Sequence, residues 1–406
     1  MPRVLIENIG EFFTGDLVAP ASAVHSLLIE DGRIAAFDPA SPGECEVIID
    51  ARGSAVMPGL VDGHVHPVCG EWTPTQNATG WIGNYLNGGT TTLVSAGELH
   101  LPGLDPDALT AELVTSLAVV MAQTTGRVRW SGAKLIAGTV LLVPGMNAGH
   151  FDRIAAHGTK FAKFIFYPLD ENPDEAKQYV RWCRERGIRT KVHTGGVSRS
   201  GSSQMCGYDI LSWLQPDIAA HVSGGPIPMS DEDLDRVVDE TSFALEICSS
   251  GNYGSTARAV KRLVSRGRLD RLCLGTDTPG GTGVIPRGMF KNILFLTSIC
   301  GLSPAEAIAV GTGNTARAHG LDCGILAPGR PADLVVCGPV RGSKGGSLSD
   351  AIAHGDFPGI SHVLVDGVPV VLGRSHQTPP PEHAAKFLCC NIGWLSSGAS
   401  AAHNLK

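Results

Sequence analysis

The sequence predicts an α/β protein: a (β/α)8 TIM barrel carrying a small β-sandwich formed from both chain ends. Three observations lead there. Between residues 58 and 321, strand-like apolar runs alternate with helical stretches eight times. Short β-rich segments separated by turn residues fill both ends of the chain. Polar residues able to bind metal recur at strand ends with a nearly constant step.

The N-terminal β segments are Val4-Leu-Ile6, Ser26-Leu-Leu-Ile29 and Glu46-Val-Ile-Ile49, divided by Asp31-Gly32 and a Pro/Gly patch at 39–43. The C-terminal ones are Ala332-Asp-Leu-Val-Val336 and the run 362–371, which Asp366-Gly367 breaks as a hairpin turn does. Neither set alone offers enough apolar faces for a core. Together, 1–57 and 322–376 make one composite β-sandwich domain, and 58–321 makes the barrel. Residues 377–406 open with Pro379-Pro-Pro381 and read as an extended C-terminal tail.

In the middle, strands are expected to end near His66, Ala96, Val143, Phe166, His193, Val222, Cys248 and Asp277. Helices are expected over Asp174–Arg186, Asp231–Asp239 and Thr256–Ser265, among others. An open doubly wound sheet is the competing architecture. It is disfavoured because no Gly-x-Gly-x-x-Gly turn follows the first strand.

Composition narrows the function. Hydrophobic residues make up 43% of the 406 and charged residues 17%, as in ordinary soluble chains. A formal charge of −7 argues against nucleic acid or an anionic membrane as partner. No apolar stretch is long enough to span a bilayer, and MPRVLIENIGEFF lacks the signal-peptide pattern. Eleven scattered cysteines without a Cys-x-x-Cys pair fit reduced, mostly buried thiols in the cytoplasm.

The chemistry begins at Met57-Pro-Gly-Leu-Val-Asp-Gly-His-Val-His66. Residues i and i+2 of a strand share a face, so His64 and His66 present two imidazoles side by side at a strand end. Lys163 follows His64 by 99 positions, three steps of 33. His193 follows by a further 30, His221 by 28, and Asp277 by 56, two steps of 28. The five positions from His64 onward therefore fall on strands 1, 4, 5, 6 and 8 of one repeat, whose C-terminal ends open on a common rim. Four histidines and an aspartate suit Zn²⁺, with Fe²⁺ or Mn²⁺ as alternatives. Lys163 binds a cation only after its amine has taken up CO₂ as a carbamate. Lys160 competes for that role but faces the other side of the strand. A lone histidine at a strand end is ordinary packing; it is the shared phase that favours ligation.

These pieces, with the closing Gly324-Ile-Leu-Ala-Pro-Gly-Arg-Pro-Ala-Asp-Leu-Val-Val336, resemble the amidohydrolase superfamily over residues 1–376. The chain looks most like its enamidase branch, hydrolases of cyclic enamides. The matching pieces are Glu7-Asn-Ile-Gly10, His193-Thr-Gly-Gly196, Gly201-Ser-Ser203, His221-Val-Ser-Gly-Gly-Pro226, Asp239-Glu-Thr-Ser-Phe-Ala-Leu-Glu246 and the run Gly275–Pro286.

The resemblance implies a cytoplasmic, binuclear hydrolase of a small cyclic amide, homo-oligomeric and by family analogy tetrameric. His64, His66 and Asp277 would hold one divalent ion, His193 and His221 the other, with carbamylated Lys163 between them. Asp277 is the expected proton shuttle and catalytic residue. Substrate contacts are expected from Trp72, His100, Tyr167, Arg199 and Ser203 on the loops after the strands. Pro67–Thr75 carries no basic residue that would meet a substrate carboxylate, and Arg199 reads either as such a partner or as a solvated loop residue. Two rival readings keep the same scaffold: a deaminase of a heterocyclic ring, with one metal, and a non-catalytic metal-binding protein.

Overall fold

The computed structural model describes residues 1–67, 80–97, 105, 108–127, 129–198, 203–225, 227–279 and 283–391. Among these the chain is α/β, with four sheets. The first seven strands are β1 (Val4–Glu7), β2 (Glu11–Phe13), β3 (Ala21–Ser22), β4 (Leu27–Glu30), β5 (Arg33–Phe37), β6 (Val47–Asp50) and β7 (Ala55–Pro58). β4 and β5 are joined by two residues, Asp31 and Gly32, at φ of 49° and 76°. Positive φ at both central positions is what a tight hairpin of this twist requires, and Asp-Gly supplies it at least cost.

The parallel region follows. β8 (Leu60–Val65) leads into α1 (Gly80–Asn87), and β9 (Thr90–Ser95) into α2 (Ala111–Thr125). The third strand is split into β10 (Lys134–Ile136) and β11 (Val140–Leu141), with Gly138 at φ 88° between them, and α3 (Ala148–Ala156) follows. Then come β12 (Phe161–Phe164), α4 (Pro173–Glu185), β13 (Arg189–His193), α5 (Tyr208–Leu214), β14 (Ile218–Ala220) and α6 (Asp231–Glu240). β15 (Ala244–Cys248), α7 (Tyr253–Ser265), β16 (Leu272–Gly275) and α8 (Gly288–Ser298) complete the alternation.

Helix starts follow their caps. Pro173 fits the first turn of α4, one residue earlier than expected. Asn252 accepts the Ser255 amide, which moves the start of α7 from the expected 256 to Tyr253.

β8, β9 and β10 form a three-stranded parallel sheet, and β11 to β16 form a six-stranded one in chain order. Segment 134–141 pairs with β9 on one side and β12 on the other. At the far edges the Asp277 amide donates to His64 O at 2.8 Å, and the His66 amide to Thr278 O at 3.0 Å.

The C-terminal strands are β17 (Leu334–Gly338), β18 (Gly359–Val365), β19 (Val368–Val371) and β20 (Lys386–Cys390). One sheet runs β19-β18-β17-β7-β2-β3 and the other β20-β6-β1-β4-β5, so both mix strands from the two chain ends. Between them lies a separate apolar core that includes Val4, Ile6, Leu27, Ile49, Leu334 and Leu364. Each such side chain contributes about 1.5–3 kcal/mol on full burial. Lys134 of β10 reaches both Asp333 and Asp366 at 2.6 Å and so fastens the parallel sheets to this layer.

Over its described part, the extended segment expected from 377 packs on the sandwich. Phe387 and Cys389 pair with Ile49 and Ile48, which makes β20 an edge strand. The Pro379-Pro-Pro381 opening hid a strand that begins only at 386.

Candidate metal centre

The predicted ligands lie at the C-terminal ends of the parallel strands. His64 lies within β8 and His66 just beyond it, Lys163 is in β12, and His193 ends β13. His221 follows β14 by one residue, and Asp277 follows β16 by two. His221 and Asp277 have φ of 38° and 56°, left-handed values that cost energy in non-glycine residues and concentrate at functional sites. Gly275 lets β16 approach β8: a Cβ there would lie 2.5 Å from His64 Cβ.

The four histidines and Asp277 lie close together, and the Lys163 charge is near enough to act on His64, His193 and His221. Asp277 Oδ1 is 2.8 Å from His66 Nε2 and 3.4 Å from His64 Nε2. Donor atoms around a tetrahedral Zn²⁺ at about 2.0–2.1 Å would sit about 3.3 Å apart, so this spacing suits one ion. The ring centroids of His64 and His221 are 5.2 Å apart, and those of His193 and His221 are 4.6 Å apart. His193 Nε2 lies 3.0 Å from Gly196 O. Two buried nitrogens here, Lys163 Nζ and His221 Nδ1, have no hydrogen-bond partner among the described residues.

Electrostatics support ligation. Burial, with Lys163 nearby, holds His193 down at about 4. Burial brings His64 to about 4 as well, against the pull of Glu246. Burial, with His193 and Lys163, holds His221 well below the ordinary histidine value. These imidazoles are neutral at physiological pH, with lone pairs available. Burial would raise Asp277, but His64 and His66 hold it well below the usual carboxylate range. The fit to a divalent cation is therefore chemical as well as spatial: neutral nitrogens, one carboxylate and an unpartnered amine. Lys160 is exposed, which leaves Lys163 as the buried lysine of β12.

A second layer stands behind the first. Glu246 Oε1 is 2.5 Å from His64 Nδ1, and Lys191 Nζ is 3.2 Å from Glu246 Oε2. Asp62 accepts the His64 amide at 3.1 Å and the Thr276 hydroxyl at 2.6 Å, tying β8 to β16. Burial pushes Asp62 up to about 7. Ser250 Oγ donates to Asp277 Oδ2 at 3.1 Å. His64, Glu246 and Cys248 also lie close enough to share an ion. Burial and Glu246 push the Cys248 thiol up, however, so it stays protonated, and Glu246 is already engaged.

Sequence reasoning missed Glu246, Lys191, Asp62 and Ser250. The signal was parity. Lys191 precedes His193 by two, as His64 precedes His66, and Glu246 precedes Cys248 by two.

Of the expected substrate contacts, Trp72, His100 and Arg199 lie outside the described residues. Tyr167 is 1% exposed, packs edge-on to Phe164 and Tyr179, and bonds Glu175 at 2.5 Å. Its hydroxyl is thereby engaged by α4. Ser203 is buried, and its hydroxyl accepts the Ser198 amide. The ten described cysteines are free thiols. No helix among the described residues is long and apolar enough to cross a membrane.

Known proteins resemble this chain over most of its length. The chain is 37% identical to the enamidase of Eubacterium barkeri over 391 residues, covering 96% of this chain and 100% of that protein. A crystal structure of enamidase, presented as a new member of the amidohydrolase superfamily, matches with a TM-score of 0.88 at 36% identity. It covers 95% of this chain and 100% of that one. The adenine deaminase of Ruegeria pomeroyi is 23% identical across 92% of this chain, which spans 63% of that protein. The pattern of the amidohydrolase family itself matches residues 55–370. The chain, with its strand-end histidines, lysine and aspartate, thus belongs to the amidohydrolase family.

Proposed function

We propose that the chain is a metal-dependent hydrolase that opens a C–N bond in a small cyclic amide or enamide. The observation that carries this is the clustering of His64, His66, His193, His221 and Asp277, with the unpartnered amine of Lys163 close enough to lower His193 and His221 by its charge. Likeness to enamidase over the whole chain supplies the substrate class.

In this reading the two parallel sheets form one closed (β/α)8 barrel over 58–321, supported by the shared segment 134–141 and the Asp277–His64 and His66–Thr278 backbone bonds. Residues 1–57 and 322–376 are the β-sandwich domain, to which β20 adds an edge. A cytoplasmic homo-oligomer is the assembly we favour, from the free thiols and the family likeness.

His64, His66 and Asp277 would hold one divalent ion and His193 and His221 a second, with Lys163 as a carbamate between them. Zn²⁺ is the first choice, with Fe²⁺ or Mn²⁺ as alternatives. When bound, such a pair lowers the pKa of a water toward neutrality and polarises the carbonyl. The chain's own residues do the rest. Asp277 turns Oδ1 to the imidazoles and Oδ2 to Ser250, so Oδ2 is the atom that takes the proton released from water. It returns that proton to the ring nitrogen as the C–N bond breaks, because an unprotonated amide nitrogen leaves poorly.

The test is turnover by purified, metal-loaded protein against a panel of lactams, imides, cyclic enamides and amino-substituted heterocycles. Ring opening of a cyclic amide or enamide is expected. Ammonia release from an aminoheterocycle with the ring intact would replace this reading with the deaminase one.

A further inference from the structure

We infer that Glu246 and Lys191 are a buried positioning pair that fixes the tautomer and aim of His64, so that the first metal position depends on them and the second does not. The inference deepens the hydrolase reading and rests on it.

A neutral imidazole has one N–H and one lone pair. His64 Nδ1 lies 2.5 Å from a Glu246 oxygen, while its Nε2 faces Asp277 at 3.4 Å. A carboxylate only accepts, so the proton belongs on Nδ1 and the lone pair on Nε2, toward His66 and Asp277. A carboxylate behind a ligating histidine both orients the ring and raises its donor strength.

Glu246 in turn needs a partner, because the side chains of Glu246, Lys191 and His64 are 0%, 0% and 1% exposed. A lone buried carboxylate would be strongly destabilising. Lys191 supplies the opposite charge to Oε2 and also donates to the backbone oxygen of Gly63, the residue before His64. One ammonium therefore holds His64 twice: through its backbone neighbour and through the carboxylate behind its ring. The Cys248 thiol adds a weak donor to the same Oε1 at 3.9 Å.

Among the described residues, no side-chain hydrogen bond of this network reaches His193 or His221. His193 Nε2 lies against Gly196 O. Through hydrogen bonds the pair thus acts on one half of the metal centre, and it reaches the shared Lys163 only through charge, where its two members act in opposite directions.

The experiment titrates metal-stripped wild type, Glu246→Gln and the double variant Glu246→Gln/Lys191→Met with Zn²⁺ by calorimetry. Co²⁺ absorption spectra and the melting temperatures of the metal-free proteins are recorded alongside. The double variant removes both charges together and so avoids stranding an ammonium if Glu246→Gln alone fails to fold. Wild type is expected to take two ions. The variants are expected to keep one at wild-type affinity and bind the other about 10- to 100-fold more weakly, the range for loss of such a carboxylate. Only one component of the Co²⁺ spectrum should change.

Two ions at unchanged affinity in the variants overturn the inference alone. Equal weakening of both sites, together with a lowered melting temperature, also overturns it, by making the pair merely structural. A wild type that takes up no metal removes the hydrolase reading and this inference with it.

Discussion

Lys163 and Lys191 stand in register on the adjacent strands β12 and β13, yet their surroundings are opposite. Lys191 donates to Gly63 O and Glu246, whereas Lys163 Nζ has no hydrogen-bond partner among the described residues. Burial, aided by the Lys191 charge and opposed by Glu246, brings Lys163 down to about 8. At pH 7 about a tenth of such an amine is neutral, far more than of an ordinary lysine. The neutral amine is the form that adds CO₂. With ¹³C-bicarbonate, wild type should give a carbamate resonance that Lys163→Ala abolishes and Lys191→Met retains. Lys163→Ala should also lose at least about 100-fold in turnover, since a shared ligand disappears. A carbamate signal that follows Lys191 would reverse the assignment.

Asp277 has its two oxygens in different company: Oδ1 with His66 and His64, Oδ2 with Ser250. Asp277→Asn keeps the shape but cannot carry the proton. Turnover should fall by about 10²- to 10⁴-fold, the usual contribution of general acid–base catalysis. Ser250→Ala removes one hydrogen bond from Oδ2 and should cost only a few-fold in kcat, with metal content unchanged. Near-normal turnover by a metal-loaded Asp277→Asn protein would exclude the shuttle.

The parts legible in sequence are those with a period. His64 and His66 show strand parity, and the step of about 28 to 33 residues marks repeated strand–helix units, so the α/β class and the placing of these residues at strand ends could be read. Asp31-Gly32 and Asp366-Gly367 could be read because positive φ leaves few residue choices. Glu246 and Lys191 were hidden for a physical reason. Sequence shows which residues share a face of one strand, but a buried pair spans two strands that are not neighbours. Tyr167 reads in the sequence as a rim residue because it lies just past a strand end. Its hydroxyl instead finds Glu175 on α4, a contact no local pattern encodes.

His362 sits within β18, fully buried, and neither ring nitrogen has a partner among the described residues. Its ring meets Phe387 of β20 edge-on at 4.8 Å. An unsatisfied buried polar group costs about 1–3 kcal/mol, so His362→Leu should stabilise the protein by about that much at pH 7.5. Burial also holds His362 down at about 4, against 6.5 when unfolded. Between those values the unfolded chain binds the extra proton. Stability from this group is therefore complete above about pH 6.5 and is lost as pH falls toward 4. The advantage of His362→Leu should grow by about 2 kcal/mol between pH 7.5 and pH 5. Denaturant midpoints at the two pH values check this. An advantage that does not widen at pH 5 would mean that the ring finds a proton partner.

The C-terminal strand yields the last expectation. β20 covers the outer edge of β6, and the segment leading to it is anchored at several points. Thr378 Oγ1 accepts the Ile360 amide at 3.0 Å, His383 O accepts the Ser54 hydroxyl at 2.8 Å, and Ala385 is 3% exposed. A chain ending at residue 376 loses all of these and leaves β6 with a bare row of amides and carbonyls, a template for intermolecular pairing. It should melt lower than a chain ending at Asn391, which keeps every one of these contacts, and it should scatter light on mild heating. Turnover per folded molecule should match, because the imidazole cluster lies on other sheets. Equal melting of the two chains would mean that the β6 edge needs no cover. Lower turnover at equal folded fraction would mean that the sandwich edge communicates with the metal centre, through a contact such as Lys134 with Asp333 and Asp366.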